Sequence, residues 1–143
     1  MKLILSEEQQ FLKDTAQSFA RDKTPTNHFR KLRDGGNTKC WDESIWQEMV
    51  QLGWSGILVP EEFGGSDFGI AGISVIMQEL GKTLTPSPLL ATSVLGVSTI
   101  KLLGSDDQKT TFLPKIVSCL LYTSDAADDS LRVDLGGRRI IKK

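Results

Sequence analysis

The chain has 143 residues, with 17 Lys and Arg against 18 Asp and Glu, which gives a formal net charge of −1. Hydrophobic residues at 39% and charged residues at 24% are close to globular averages, which excludes intrinsic disorder, collagen-like repeats and disulfide-rich scaffolds. The balanced charge favours neither nucleic acid nor a lipid surface as partner, and with two cysteines and no apolar stretch of signal-peptide or membrane-span length we expect a cytoplasmic protein.

The first helix is predicted to begin at Glu7, because Ser6 and Gln9 have the spacing of a capping box. Its apolar residues recur at helical spacing into the low thirties. The Thr24-Pro25 pair predicts a bend or a split within this helix, because proline lacks the amide hydrogen that a helix interior needs. A loop is expected at residues 35–37, Gly-Gly-Asn.

A second, shorter helix is predicted to follow Asp42, the candidate N-cap, and to end at Gly53. Trp41 and Trp46 have the spacing of a hydrophobic staple. The residues expected on its buried face are Ile45, Met49 and Leu52. Helical periodicity is then lost through residues 54–69, where four glycines indicate an irregular backbone, and returns from Ile73 to about Gly81.

The fourth helix is predicted from Ser87-Pro88 to Leu103. Its leucines and valines cover more than one face, so we expect it to be central. A fifth helix opens with a second capping box, Ser105 to Gln108, and Pro114 predicts a kink within it. The predicted fold class is therefore all-α, an up-and-down bundle of about five helices formed by residues 1–118.

Residues 119–143 do not continue this pattern, having no cap, no amphipathic period and no turn that joins them to the preceding helix. Their sequence resembles translated sequencing-adaptor read-through. We therefore predict a non-native or disordered tail, with a genuine basic targeting tail as the alternative.

The sequence contains no clear match to the common catalytic and cofactor-binding motifs. The single histidine, His28, fits a solvated helix surface better than a catalytic triad. Cys40 has no base nearby in the sequence, and Glu61-Glu62 fits solvated charge better than a pair of catalytic carboxylates. The glycine-rich segment 64–69 lacks the spacing and the βαβ context of a dinucleotide-binding loop.

Four motifs, in order along the chain, resemble the acyl-CoA dehydrogenase N-terminal domain. The most specific is residues 53–69, GWSGILVPEEFGGSDFG, a short apolar run followed by Pro-Glu-Glu-aromatic-Gly-Gly. The others are LSEEQ at residues 5–9, QELG at residues 78–81, and LGSDDQK at residues 103–109 with FLPK at residues 112–115. The resemblance covers residues 5–118.

This resemblance implies a flavoenzyme that oxidises an acyl-CoA thioester between its α and β carbons, with FAD as cofactor. It also implies an electron-transfer flavoprotein or a similar acceptor as partner, and a homo-oligomer. In the family the flavin-contacting strands and the catalytic glutamate follow the Leu-Pro-Lys helix, so the chain is expected to be an N-terminal fragment, inactive by itself. No catalytic, flavin-binding or metal-binding residue is assigned within it.

The family's N-terminal domain also supplies part of the wall of the acyl-chain pocket. Alignment through the Gly-Ser-Asp-Asp-Gln-Lys element places four residues at pocket-facing positions: Ser87, Pro88, Ala91 and Leu95. The small Ala91 would leave room for a bulky or branched acyl group. The alternative interpretation is that these are ordinary core residues of a buried helix.

Two other functions are also compatible with this sequence. One is a fragment of a flavin monooxygenase or nitroalkane oxidase of the same fold. The other is a stand-alone helical interaction module, which would leave no apolar face exposed.

Overall fold

The structure is a computed structural model that describes residues 5–35 and 40–120. This part of the chain is helical and contains no strand, which confirms the all-α prediction. Its α-helices are α1 (Glu7–Lys23), α2 (Thr26–Asp34), α3 (Glu43–Gln51), α4 (Gly69–Lys82), α5 (Val97–Leu103) and α6 (Asp106–Val117). A π-helical segment, Leu90–Gly96, leads directly into α5, and two 3-10 turns, Trp54–Gly56 and Glu61–Phe63, connect α3 to α4.

Both predicted capping boxes are present. The Ser6 hydroxyl accepts a hydrogen bond from the Gln9 amide, and the Gln9 side chain accepts one from the Ser6 amide. Ser105 and Gln108 repeat this exchange at the start of α6. The predicted split of the first helix is also confirmed, because α1 ends before Thr24 and α2 begins after Pro25.

Helix α3 begins at its predicted N-cap, and Gly53 has the left-handed φ of 78° expected of a residue that ends a helix. Ile45 and Met49 are buried as predicted, but Leu52 is 44% exposed, so its placement on the buried face was wrong. The helix ends at Gln51, and Leu52 is its C-cap residue, so it lies beyond the last residue of the helix.

Helices α1 and α4 run side by side in the same direction and form the centre of the fold. Leu12 near the start of α1 lies by Gly72 near the start of α4, and Thr24 after α1 hydrogen-bonds Thr85 after α4 at 2.7 Å. Phe19 and Trp54 meet edge to face, with ring centroids 5.2 Å apart. The largest fully buried side chains include Trp46, Trp54, Met49, Ile57, Ile76, Leu89 and Leu113.

The predicted fourth helix differs from expectation in two ways. It begins with π geometry, and it buries one face where the sequence suggested a central helix buried on more than one. Its buried side chains are Leu89, Thr92, Ser93 and Val97, whereas Leu90, Leu95, Leu102 and Leu103 are exposed. Helix α6 buries Leu113 and Ile116, leaves Phe112 36% exposed, and continues through Pro114 to Val117.

A first testable prediction concerns the N-cap of α3. Ser44 donates hydrogen bonds to the Asp42 carboxylate from its amide at 2.9 Å and its hydroxyl at 2.7 Å. The Ser44 hydroxyl in particular lowers the pKa of Asp42 below its usual value. A lowered pKa stabilises the fold at pH values above the unfolded pKa, and this stabilisation is lost as the pH falls through the folded pKa.

We therefore expect Asp42→Ala to lower the free energy of unfolding by about 1 kcal/mol at neutral pH, with the difference shrinking below about pH 4. Chemical denaturation across this pH range measures the effect. Asp42→Asn is the control, because it retains an oxygen that can cap the helix without titrating. A difference between wild type and Asp42→Ala that does not change with pH would contradict the explanation.

Some sequence predictions lie outside the described residues. They are most of the 35–37 loop and the tail beyond residue 120, so the tail remains a prediction. At the boundary, the amides of Cys119 and Leu120 still hydrogen-bond carbonyl groups of α6, at 3.1 and 2.8 Å. None of the helices in residues 5–35 and 40–120 has the length and hydrophobicity needed to cross a bilayer.

Candidate functional site

The four predicted pocket residues lie in one continuous stretch of chain around the π-helical segment. Ser87 and Pro88 come immediately before the helix, and Ala91 and Leu95 lie within Leu90–Gly96. Ser87, Pro88 and Ala91 are half-buried, and Leu95 is 59% exposed. None of the four belongs to the buried core cluster of the described residues.

The opposite face of the same segment packs into the bundle. Leu89 and Val97 anchor its two ends and are 1% and 0% exposed. Between them, Ser93 is fully buried, and its hydroxyl has no hydrogen-bond partner among the described residues. A buried hydroxyl without a partner is unfavourable, and π geometry is uncommon and often marks functional positions. The helix thus has two uncommon features, π geometry and a buried hydroxyl without a partner, in the segment where the pocket is predicted.

Leucine side chains are exposed at both ends of this helix. Leu90 at its start is 49% exposed, and the adjacent Leu102 and Leu103 at the end of α5 are 79% and 83% exposed. Exposed apolar side chains of this size are typical of a surface that contacts another protein segment or a ligand.

The glycine-rich motif at residues 53–69 forms a compact structural loop. It is closed by backbone hydrogen bonds from Phe68 to Ile57 at 2.9 Å, from Asp67 to Val59 at 3.0 Å and from Ser66 to Gly56 at 3.2 Å. The apolar run Ile57–Val59 is buried beneath it. These contacts show that the residues of the motif stabilise the loop structure. They assign no catalytic group to it.

Lys101 connects this loop to the helix that carries the predicted pocket residues. Its ammonium group donates to the Leu58 carbonyl at 3.1 Å and to the Asp67 carboxylate at 2.9 Å. Asp67 has a left-handed φ of 45°, which is uncommon for a residue other than glycine. Its carboxylate binds the Lys101 ammonium while the backbone is in this conformation. This contact could not be predicted from the sequence, because Lys101 and Asp67 are 34 positions apart and no local pattern links them.

The groups considered for general catalysis are not brought together. The His28 imidazole lies 3.9 Å from the Asp42 carboxylate at the start of α3, and Glu61 and Glu62 are exposed. Within residues 5–35 and 40–120 no three His, Cys, Asp or Glu side chains cluster in a way that could hold a metal ion. This part of the chain also lacks the strands on which the resemblance places flavin contacts, so no residue is assigned to FAD.

A second feature that the sequence did not reveal is a buried charge. The Glu79 side chain is 1% exposed, and both of its carboxylate oxygens accept hydrogen bonds from the Lys82 ammonium, at 2.7 and 2.8 Å. The pair borders a cleft of about 350 Å³ between the ends of α1 and α4. The i,i+3 spacing could have indicated the pair, but not its burial.

Comparison with known proteins identifies a relationship over most of the described residues. The family model "Acyl-CoA dehydrogenase, N-terminal domain" matches residues 6–119. Acyl-CoA dehydrogenase IpdE2 of Mycobacterium tuberculosis is 32% identical over 108 residues, which cover 75% of this chain and 33% of that protein.

Two solved structures have a similar fold. A variant of the Tcur3481-Tcur3483 steroid ACAD matches with a TM-score of 0.68 and 27% identity, over 78% of this chain and 30% of that one. Butyryl-CoA dehydrogenase from Megasphaera elsdenii matches with a TM-score of 0.66 and 25% identity, over 82% and 31%. The chain therefore spans about one third of the length of the relatives it matches.

Proposed function

The chain belongs to the acyl-CoA dehydrogenase family through its N-terminal domain, and on this premise we propose that it forms part of the acyl-chain pocket of an enzyme that oxidises acyl-CoA thioesters between their α and β carbons. The remaining pocket wall, the catalytic base and the flavin site would come from the parts that its longer relatives possess. FAD, when bound there, supplies the hydride acceptor.

The observation that carries this proposal is the surface of the π-helical segment. Ala91 and Leu95 stay out of the bundle core, while Leu89 and Val97 on the same helix are its anchors. A helix fixed on one face and apolar on the other is suited to lining a cavity that is completed by another domain. The stand-alone interaction module is less well supported, because it was expected to leave no apolar face exposed.

The acyl chain is the part of the substrate that this wall would contact. Ala91 is half-buried and ends at its β carbon, so it leaves space at the wall where a longer side chain would fill it. We propose that this space admits bulky or branched acyl groups. An electron-transfer flavoprotein or a similar acceptor, and assembly into a homo-oligomer, complete the proposal for the whole enzyme.

A domain exchange tests the proposed function. Residues 5–118 replace the corresponding domain of butyryl-CoA dehydrogenase from Megasphaera elsdenii, and the purified chimera is assayed with straight-chain and branched acyl-CoA thioesters and an artificial electron acceptor. We expect an active chimera whose kcat/KM for branched relative to straight chains is at least about tenfold higher than that of the parent, the size of effect that a methylene-sized change in a pocket produces. The chain by itself is expected to be inactive.

Two variants of the chimera separate the pocket from the rest of the surface. Ala91→Gln is expected to reverse the gain for branched substrates, because the longer side chain fills the proposed space. Ala71→Gln, the same substitution at an exposed alanine of α4, is the matched control and should leave the ratio unchanged. A soluble, FAD-loaded chimera that turns over none of the thioesters, or one with the parent's substrate ratio, would contradict the proposed function.

A further inference from the structure

A lysine continues the buried face of α5. Val97 at the start of this helix is fully buried, and Lys101 lies four positions further along, so the two residues are neighbours on one face. An apolar residue is expected where such a face packs against the bundle, because a charged group loses hydration there. The Lys101 side chain is nevertheless only 39% exposed, and the contacts of its ammonium group explain why a lysine is found here.

The Lys101 ammonium binds both arms of the loop formed by residues 53–69. On the arm that enters the loop it donates to the carbonyl of Leu58, a residue that is 4% exposed, at 3.1 Å. On the arm that leaves the loop it donates to the Asp67 carboxylate at 2.9 Å. The two arms are themselves joined by the bond from the Asp67 amide to the Val59 carbonyl at 3.0 Å. One cation therefore connects α5 to both arms of a closed loop.

The same loop also contacts the segment that precedes α5. Its first turn, Trp54–Gly56, lies against the π-helical segment Leu90–Gly96. A helix that is held at one place can pivot about that contact, whereas a second contact further along the axis fixes its direction. Lys101 supplies this second contact, roughly 10 Å from the middle of the π-helical segment at about 1.5 Å per residue.

From these contacts we propose that Lys101 is a positioning residue for the proposed acyl-chain wall. Its ammonium binds the loop and not the acyl chain, and by fixing the direction of the helix it determines where Ala91 lies in the pocket. This inference rests on the proposed function and refines it, because it names the contact that keeps the wall in place. A displacement of about 1 Å far from the reacting atoms can lower the rate of an enzyme about 100-fold.

Asp67 allows this positioning role to be separated from stability. Its φ of 45° lies in the left-handed region, which glycine adopts without strain. Asp67→Gly removes the carboxylate that binds Lys101 and also relaxes the backbone, so the Tm of the complete 143-residue chain should stay within about 2 °C of the wild type. Lys101→Met removes both bonds and should lower the Tm by about 2–4 °C, since the ion pair is partly exposed.

Acyl-chain selectivity is then measured in the chimera as kcat/KM for branched relative to straight-chain acyl-CoA. Lys101→Met is expected to lower this ratio at least about tenfold and Asp67→Gly at least about threefold, because the branched group needs the space at Ala91. Lys101→Arg retains a cation with several donors and should keep the ratio within about twofold. Lys23→Met is the matched control, because it removes an exposed ion pair of the same 2.9 Å length between α1 and α3, and it should leave the ratio unchanged.

Three results would overturn the role of Lys101 and leave the proposed function intact. The first is an unchanged ratio in Lys101→Met, and the second is a ratio in Asp67→Gly that changes no more than in Lys23→Met. The third is a ratio that falls as far in Lys101→Arg as in Lys101→Met. An FAD-loaded chimera that is inactive before any of these substitutions overturns the proposed function, and this inference with it.

Discussion

Replacing Gly65 with alanine is expected to destabilise the protein by at least about 3 kcal/mol, a large fraction of the stability of a domain of this size. A β carbon at this position would lie 2.0 Å from the Val59 carbonyl oxygen and 2.5 Å from its carbonyl carbon. The obstacle is backbone, so no side-chain rotation relieves the contact. Relief requires opening the loop, which is closed by the Gly65 to Pro60 bond at 3.2 Å and the neighbouring bonds to Gly56 and Val59.

Gly81 provides the matched control for this experiment. It lies near the end of α4, does not have a left-handed φ, and has no other group within 4 Å of the position that a β carbon would take. Gly81→Ala is therefore expected to stabilise the protein by about 0.5–1 kcal/mol through helix propensity. Urea denaturation of both variants measures the difference. If Gly65→Ala unfolds at the same urea concentration as the wild type, the backbone of Gly65 does not lie against that of Val59, and the prediction is wrong.

The loop shows where sequence reasoning was sufficient and where it was not. Local patterns correctly predicted both capping boxes, the break at Thr24-Pro25 and the end of the second predicted helix near Gly53, because each depends on residues within a few positions of one another. The four glycines indicated an unusual backbone at residues 54–69. They could not indicate that Gly65 lies against Val59, since that contact depends on how the loop closes.

The candidate site shows a different limit. Alignment through the Gly-Ser-Asp-Asp-Gln-Lys element placed Ala91 and Leu95 at pocket-facing positions, and such an alignment carries no information on the helix geometry between them. The π turn at Leu90–Gly96 adds a residue, and no composition signal in the sequence indicates it. The anchors Leu89 and Val97 lie eight positions apart on either side of this segment, and both are buried.

The second large effect is expected at the buried Glu79. Lys82→Met should lower the free energy of unfolding by about 2–3 kcal/mol, because it removes the cation that donates two hydrogen bonds to a carboxylate that is 1% exposed. The loss is below that of a fully buried pair, because the Lys82 side chain is 56% exposed and its charge is partly solvated. Methionine retains most of the lysine stem, so packing by the aliphatic part is preserved.

The pair formed by Lys23 and Glu48 is the matched control for Lys82→Met. Its ammonium and carboxylate are 2.9 Å apart, but the two side chains are 50% and 37% exposed, so Lys23→Met should cost about 0–1 kcal/mol. Adding Glu79→Gln to Lys82→Met should restore about half of the loss, because a neutral amide is less costly to bury than an unpaired carboxylate. Denaturant unfolding of the wild type, Lys82→Met, Glu79→Gln and the Glu79→Gln, Lys82→Met double variant completes the cycle. Equal losses of unfolding free energy for Lys82→Met and Lys23→Met would contradict the prediction. They would mean that water solvates the Glu79 carboxylate, so that it needs no bond from Lys82.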